Sequence, residues 1–304
     1  MKMIKKTCPI CEQNNFTMIY KSNLPNKIEA VNYAGRKKPD FYHYEMVRCL
    51  DCNVLYASSI YSDNFIEQLY KQSDFPYEDE IKGLKKTYET YLLKANNYII
   101  NKERMLDIGC GNGFMLNVGL NLGWENVVGV EPSSLAIDKV DAKLKNNIIK
   151  GIFNKNNFEE NSIDLIFCAM VLEHLSDINN FLIDIKTILK PGGIVLAITH
   201  DEGHILSRIL KNKHPIINDE HVCVYNRKTL EDIFLKHNFR IQETNSVKNI
   251  YSIKYWIGML PIFPAIKNFI SVILHRTKLL NINLGLKAGN IYIIAQKPYK
   301  RIKQ

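Results

Sequence analysis

The 304-residue sequence predicts an α/β fold, a parallel sheet with helices on both faces, preceded by a small metal-stabilised module. Three observations carry this. From residue 104 onward, short apolar runs alternate with stretches whose apolar residues recur every three or four positions, the pattern of strands joined by crossover helices. The first run leads into "MLDIGCGNGF" (105–114), with glycine at every second position: Gly109, Gly111 and Gly113. Two C-x-x-C pairs, Cys8/Cys11 and Cys49/Cys52, stand near the start, 37 residues apart.

The cysteine pairs come first in the chain. Each makes a tight knuckle aiming two sulfurs at one point, and four thiolates suit a closed, structural zinc site. The strand-like "FYHYEMVRC" between them fits a zinc-ribbon-like module over 1–60. "DNFIEQLYKQ" and "IKGLKKTYETYLLKANNYII" then read as helices of a linker over 61–100, with Tyr77, Tyr88 and Tyr91 as packing residues. The main domain, 101–304, alternates. "RMLDIG", "NVVGVEPS", "NIIKGIF", "SIDLIFCA" and "IVLAITH" are strands. "GFMLNVGLNLG", "SLAIDKVDAKLK" and "DINNFLIDIKTILKPGG" are helices, the last stopped by Pro191 and two glycines. "NRKTLEDIFLKHNF" is a further helix, and "RIQETNSV" and "NIYIIAQK" are the last strands. An insert at about 248–288 stands between the last two strands.

Apolar residues make up 46% and charged residues 23%, the balance of a globular chain. The basic start has no apolar core behind it, and no run approaches the eighteen or so residues that span a bilayer, so a cytoplasmic protein is expected. The net charge is +9, and the last acid is Glu243, after which come ten Lys or Arg. The basic and apolar stretch over 250–280, with Trp256, Met259, Phe263 and Phe269 among Lys254, Lys267, Arg276 and Lys278, is read either as a lid or dimer surface or as peripheral contact with an anionic membrane.

Ligands of open parallel sheets bind at the carboxyl ends of the strands. A bend without side chains after Asp107 lets a ligand lie against backbone N–H groups and the next helix. Glu131 ends the second strand, 24 residues on, where a carboxylate can accept from both hydroxyls of a ribose. A dinucleotide fingerprint requires glycine where Phe114 stands, and no phosphate-binding Lys follows the glycines. The ligand reads as a nucleoside without a phosphate chain.

"LDIGCGNG", "GVEPS", "NSIDLIFCAMVLEHLSD" and "LKPGG", in that order over about a hundred residues, resemble the class I methyltransferases that use S-adenosylmethionine. The resemblance implies a Rossmann-like seven-stranded sheet with an antiparallel last strand. It implies Asp107, Gly109, Gly111 and Gly113 at the amino-acid end of the cofactor, Glu131 at its ribose, and Ala169 and Met170 at its methionine side. It also implies that the insert at about 248–288 falls on the substrate side. Where the family often places an acid for the adenine amine this chain has Ile152, which leaves adenine to backbone near Phe153.

A methyl acceptor that loses a proton needs a base near the strand ends. Candidates are Glu173 and His174 in "VLEHL", and Glu220 and His221 in "NDEHVCVY". With the four cysteines, these resemble zinc-containing bacterial methyltransferases of deoxysugar and surface-polysaccharide pathways, which implies His174, Glu220 and His221 as the acid–base group. The tyrosine expected two residues before the Glu is Asn218, which leaves O-methylation of a saccharide or envelope precursor open beside C-methylation. The alternative is an RNA methyltransferase gripping nucleic acid through its zinc module; "FCAM" at 167–170 in place of an "NPPY" or "DPPY" signature counts against it. His200, His204 and His214 invite a second metal reading, but only His200 and His204 stand at i, i+4, and no partner acid follows in the usual metalloprotease order. The oligomeric state is not legible in the sequence.

Overall fold

The computed structural model of the chain describes residues 3–25, 41–71, 81–259 and 279–299. Tyr77 and most of the basic apolar stretch, residues 260–278, lie outside the described residues. The chain opens with short strands β1 (Met3–Lys5), β2 (Phe16–Tyr20), β3 (Met46–Cys49), β4 (Leu55–Ala57) and β5 (Ser59–Tyr61), then helices α1 (Asp63–Lys71) and α2 (Ile81–Asn96). Alternation follows: β6 (Arg104–Ile108), α3 (Phe114–Asn121), β7 (Asn126–Glu131), α4 (Ser134–Asp138), β8 (Ile148–Lys150), β9 (Ile163–Ala169), α5 (Ile178–Ile188) and β10 (Leu189–His200). The last part holds α6 (Ile205–Leu210), β11 (Cys223–Val224), α7 (Arg227–Lys236), β12 (Arg240–Ser252), α8 (Ile253–Met259) and β13 (Asn283–Gln296).

Seven strands form one sheet in the order β12-β13-β10-β9-β6-β7-β8. The five strands from β10 to β8 run parallel, and β13 lies antiparallel between β10 and β12. The predicted Rossmann-like sheet with an antiparallel last strand is therefore the fold of this chain. The order reverses between β6 and β9, which puts the carboxyl ends of those two strands at the crevice where such sheets bind ligands.

The two faces of the sheet are covered differently. On one, Ile166, Val195 and Ile293 share a core with Leu182 and Ile185 of α5, Ile233 and Phe234 of α7, Leu55 of β4 and Val224 of β11. On the other, Met105, Leu165, Leu196 and Ile294 pack with Tyr88, Tyr91 and Leu92 of α2 and Leu116 of α3. Near-continuous apolar strands are what burial on both faces demands.

Helix α2, predicted as part of a linker, is a covering helix of the main sheet. A Cβ on Gly83 would fall 2.4 Å from Tyr251 Cδ1 and 2.7 Å from the Ile250 carbonyl, so glycine is what lets α2 approach β12. Thr87 Oγ1 accepts from the Ile250 N–H at 2.8 Å, and Tyr91 Oη from the Lys248 N–H at 2.6 Å. These side chains occupy donors along an edge strand that would otherwise stand open for pairing.

Three local expectations shift. "SLAIDKVDAKLK" is not one helix: α4 ends at Asp138, and a 3-10 turn over Ala142–Asn147 follows, begun by Asp141, whose carboxylate accepts from the Lys143 N–H at 3.2 Å. A short acid that bonds the backbone two residues on favours a new turn over a continuing helix. "LKPGG" stops α5 but already belongs to β10, with an irregular register between Leu189 and Ile194 that accommodates Pro191 and the two glycines. The N-terminal module is also not closed on itself. Its sheet has the order β11-β4-β3-β2, so a strand from residue 223 onward completes it.

Candidate active site

The glycine bend follows β6 directly. Gly109, Gly111 and Gly113 have φ of 74°, 54° and 72°, a region that side-chain-bearing residues rarely adopt. The Gly109 and Cys110 N–H groups donate to the Val130 carbonyl at 2.9 and 3.1 Å, fastening the bend to the end of β7. Glu131 sits there, buried, with Oε2 accepting from the Gly111 N–H and Oε1 from the Ser133 N–H, both at 2.8 Å. Asp107 is buried beside it. Burial, and then the charge of Glu131, pushes the Asp107 carboxyl well above its usual range. Burial also raises Glu131, opposed by its two backbone hydrogen bonds.

The other predicted cofactor residues line the same strand ends. Ala169 closes β9, and Met170 follows with φ of 56° and its N–H on the Ile198 carbonyl at 2.7 Å. Phe153 lies beyond β8, stacked on Phe158 with ring centroids 6.0 Å apart and edge-on to Phe181 at 5.6 Å. Ile152, which takes the place of the family's acid, is 53% exposed.

His174, Glu220 and His221, far apart in sequence, are brought together. Glu173 and His174 stand on a 3-10 turn over Leu172–His174, just past β9. His174 Nδ1 lies 4.0 Å from Glu220 Oε2, and its ring centroid is 4.7 Å from that of His221. Asn218 fixes the turn that presents the Glu220–His221 pair, its Oδ1 accepting from their backbone N–H groups at 2.9 and 2.8 Å. His221 is buried, with Nδ1 on the Ile216 carbonyl at 2.8 Å, whereas the His174 side chain keeps 22% of its surface exposed.

Two further members stand outside the acid–base group that the resemblance implies. Tyr70 of α1 places its hydroxyl 2.8 Å from His174 Nδ1. His200, at the end of β10, places its ring centroid 5.0 Å from His221 and its Nε2 3.8 Å from Glu173 Oε1. The sequence signal for His200 is its position closing a parallel strand; nothing in α1 marks Tyr70. Glu173 is 1% exposed, its Oε2 accepts from Thr199 Oγ1 at 2.8 Å, and burial raises its carboxyl to about 7. His204 and His214 stay out of the cluster. Each uses Nδ1 to accept the N–H two residues on, at 3.3 Å, and burial lowers His214 to about 4.

The four cysteines converge in the N-terminal module. Their sulfurs all lie within 4.8 Å of one another, with Cys8–Cys52 at 3.3 Å and Cys11–Cys49 at 3.4 Å. The two knuckles repeat one geometry. Glu12 and Asn53, each following a second cysteine, have φ of 63° and 64° and donate their N–H to the carbonyl of the first cysteine at 2.9 and 3.1 Å. Burial pushes the Cys8 thiol up; at Cys49 burial acts the same way but is outweighed by the Cys52 and Asp51 N–H groups, which hold it at about 7. Tetrahedral thiolates at about 2.3 Å from a zinc ion stand roughly 3.8 Å from each other, so the donor set fits that ion.

Comparison with known proteins shows the family. A family model described as a methyltransferase domain matches residues 81–244. An uncharacterized methyltransferase of Schizosaccharomyces pombe is 31% identical over 169 residues, 51% of this chain and 53% of that protein. A ubiquinone biosynthesis O-methyltransferase of Rickettsia bellii is 26% identical over 133 residues, 42% of this chain and 55% of that protein. The chain thus spans about half the length of these curated relatives. Among solved structures, a SAM dependent methyltransferase from Archaeoglobus fulgidus superposes with a TM-score of 0.48 at 19% identity, over 74% of this chain and 100% of that one. With the matched model covering more than half of its length, the chain belongs to the methyltransferase-domain family, the class I fold that uses S-adenosylmethionine.

Proposed function

We propose that this chain transfers a methyl group from S-adenosylmethionine to an oxygen or carbon of a small, saccharide-containing acceptor. The observation that carries the reading is the acid–base cluster at the carboxyl end of β9, on the same strand end as Ala169 and Met170. The cofactor supplies an electrophilic methyl on a sulfonium; the chain must bind it, exclude water, align the acceptor and take up a proton. Asp107 and the glycine bend hold its amino-acid end, Glu131 its ribose, and backbone near Phe153 its adenine. His174 is the member of the cluster that meets the acceptor, because its ring is the more exposed of the pair. With Nδ1–H donating to the Tyr70 hydroxyl oxygen, Nε2 is the nitrogen that takes up the proton. Glu220 favours the charged form of the ring, and His221 packs against it and fixes its position.

Asn218 in place of a tyrosine, and the likeness to ubiquinone biosynthesis O-methyltransferases, support oxygen over carbon as the accepting atom. The four cysteines would hold a structural zinc, with every position taken by protein. The RNA reading is weaker, because β11 pairs along β4 and takes up that edge of the N-terminal sheet. The test is methyl transfer from labelled S-adenosylmethionine to a panel of nucleotide-linked sugars, phenols and RNA. His174→Gln should bind the cofactor as wild type does and lose about 100-fold or more in turnover, the size of a general-base effect. Label entering RNA alone, or full turnover by the variant, would overturn the proposal.

A further inference from the structure

The acid–base cluster holds more ligand atoms than proton transfer needs. Glu173, His200 and His221 each direct one atom into a common space, all within 4.8 Å of one another. The hydrogen bonds behind them decide what those atoms are. Asn290 Nδ2 donates to Asn249 Oδ1 at 3.1 Å, so Asn290 Oδ1 is the acceptor facing His200 Nδ1 at 3.1 Å, and that nitrogen carries the proton. His221 Nδ1 faces the Ile216 carbonyl at 2.8 Å and carries its proton for the same reason. In the neutral rings Nε2 is then a lone pair in both histidines. His200 directs that lone pair at Glu173 Oε1, 3.8 Å away, an oxygen with no hydrogen-bond partner among the described residues, on a side chain that is 1% exposed. No lysine or arginine among the described residues pairs with Glu173.

Three ligand atoms converging on one space, one of them a buried carboxylate oxygen with no hydrogen-bond partner among the described residues, make a place where a positive charge is stabilised. The arrangement has the parts of a metal site: two imidazoles held by acceptors on their far nitrogens, and a carboxylate held through its other oxygen by Thr199. Ligand distances of about 2.0–2.2 Å in a tetrahedron place the donor atoms roughly 3.4 Å apart, close to the 3.8 Å between Glu173 and His200.

We propose that Glu173, His200 and His221 bind a divalent cation, separate from the four-cysteine site and beside His174. Three protein ligands leave at least one position for water or an acceptor oxygen, the mark of a catalytic rather than a structural ion. The nitrogen and oxygen donors select against the soft-metal preference of the thiolate site. The site does not depend on which acceptor the chain methylates.

The test uses the full chain, loaded with one zinc and titrated with manganese, which thiolates bind poorly and mixed imidazole–carboxylate sites bind well. Electron paramagnetic resonance of free manganese should show one saturable equivalent per chain. Glu173→Gln and His200→Ala should each weaken it by at least about 10-fold, while both variants keep the circular-dichroism spectrum and S-adenosylmethionine affinity of the wild type. No saturable manganese in the wild type, or equal binding by wild type and both variants, would overturn the proposal and leave Glu173 and His200 sharing a proton instead.

Discussion

Glu131 is the residue on which the cofactor assignment can be tested most sharply. Its carboxylate offers about four lone-pair sites, of which the Gly111 and Ser133 N–H groups occupy two, one on each oxygen. One lone pair per oxygen is left, the number needed for two vicinal ribose hydroxyls. Hydrogen bonds to a charged group contribute about 1.5–3 kcal/mol each, so Glu131→Ala should cost about 3–6 kcal/mol of binding, roughly 100- to 10,000-fold in affinity. The fold should survive. Two buried donors lose their acceptors at about 1–3 kcal/mol each, but burial already raises the Glu131 carboxyl, so removing it also relieves a desolvation cost. A melting point lower by several degrees is expected. Glu131→Gln should fall between the two, because its amide keeps one acceptor and turns a donor toward a backbone N–H. The assay is calorimetric titration with S-adenosylmethionine, alongside thermal unfolding. Affinity within threefold of wild type in a folded Glu131→Ala protein would refute the ribose contact.

Other outcomes follow from the same neighbourhood. Gly129→Ala would place a Cβ 2.5 Å from Cys110 Sγ and 2.8 Å from Ile148 Cδ1, pressing on the glycine bend from behind. Differential scanning calorimetry should show a loss of about 1–3 kcal/mol, with weaker cofactor binding. The raised Asp107 carboxyl keeps its proton above the usual range in the free protein, and its contribution to stability is present at low pH and lost as pH rises through the folded-state value. Cofactor cations favour the ionised form, so binding should release protons, seen as a dependence of binding enthalpy on buffer that Asp107→Asn abolishes. Cys11→Ser, or zinc chelation, should lower metal content and turnover together while cofactor affinity stays within a few fold, as metal analysis and titration would show.

The parts of this molecule that are legible in the sequence are those whose physics is local. A strand running into alternating glycines announces its bend in ten residues, and Glu131 follows at the distance one helix and one strand require. The order of motifs then implies the sheet, including the antiparallel β13. What escapes depends on contacts between distant segments. Tyr70 looks like any tyrosine on an amphipathic helix until α1 is laid against the turn at His174. His200 looks like the polar end of a strand until Glu173, from the neighbouring strand end, faces it. The broken helix after β7 escapes for another reason: Asp141 reads as a helix-surface residue by periodicity and acts as a cap by hydrogen bonding.

Joining of the N-terminal module to the main domain would give the cysteines a mechanical part in the proposed catalysis. Cys49 ends β3, which pairs with β4, which pairs with β11 through Tyr56–Cys223 and Leu55–Val224. One residue before β11, Val222 accepts from the Ala57 N–H at 2.9 Å and donates to the Glu173 carbonyl at 2.8 Å. His221 and Glu220 come immediately before it, so the loop that carries them is strung between the cysteine-bearing sheet and the turn that carries Glu173 and His174. Short strands of two to four residues hold little register by themselves. A tetrahedral ion that closes a 37-residue loop removes much of the freedom such a sheet would have. The cofactor bend, by contrast, is fastened to β7. Losing the thiolate site should therefore spread the acid–base group while leaving the cofactor crevice formed, which separates turnover from binding in a way that general unfolding would not.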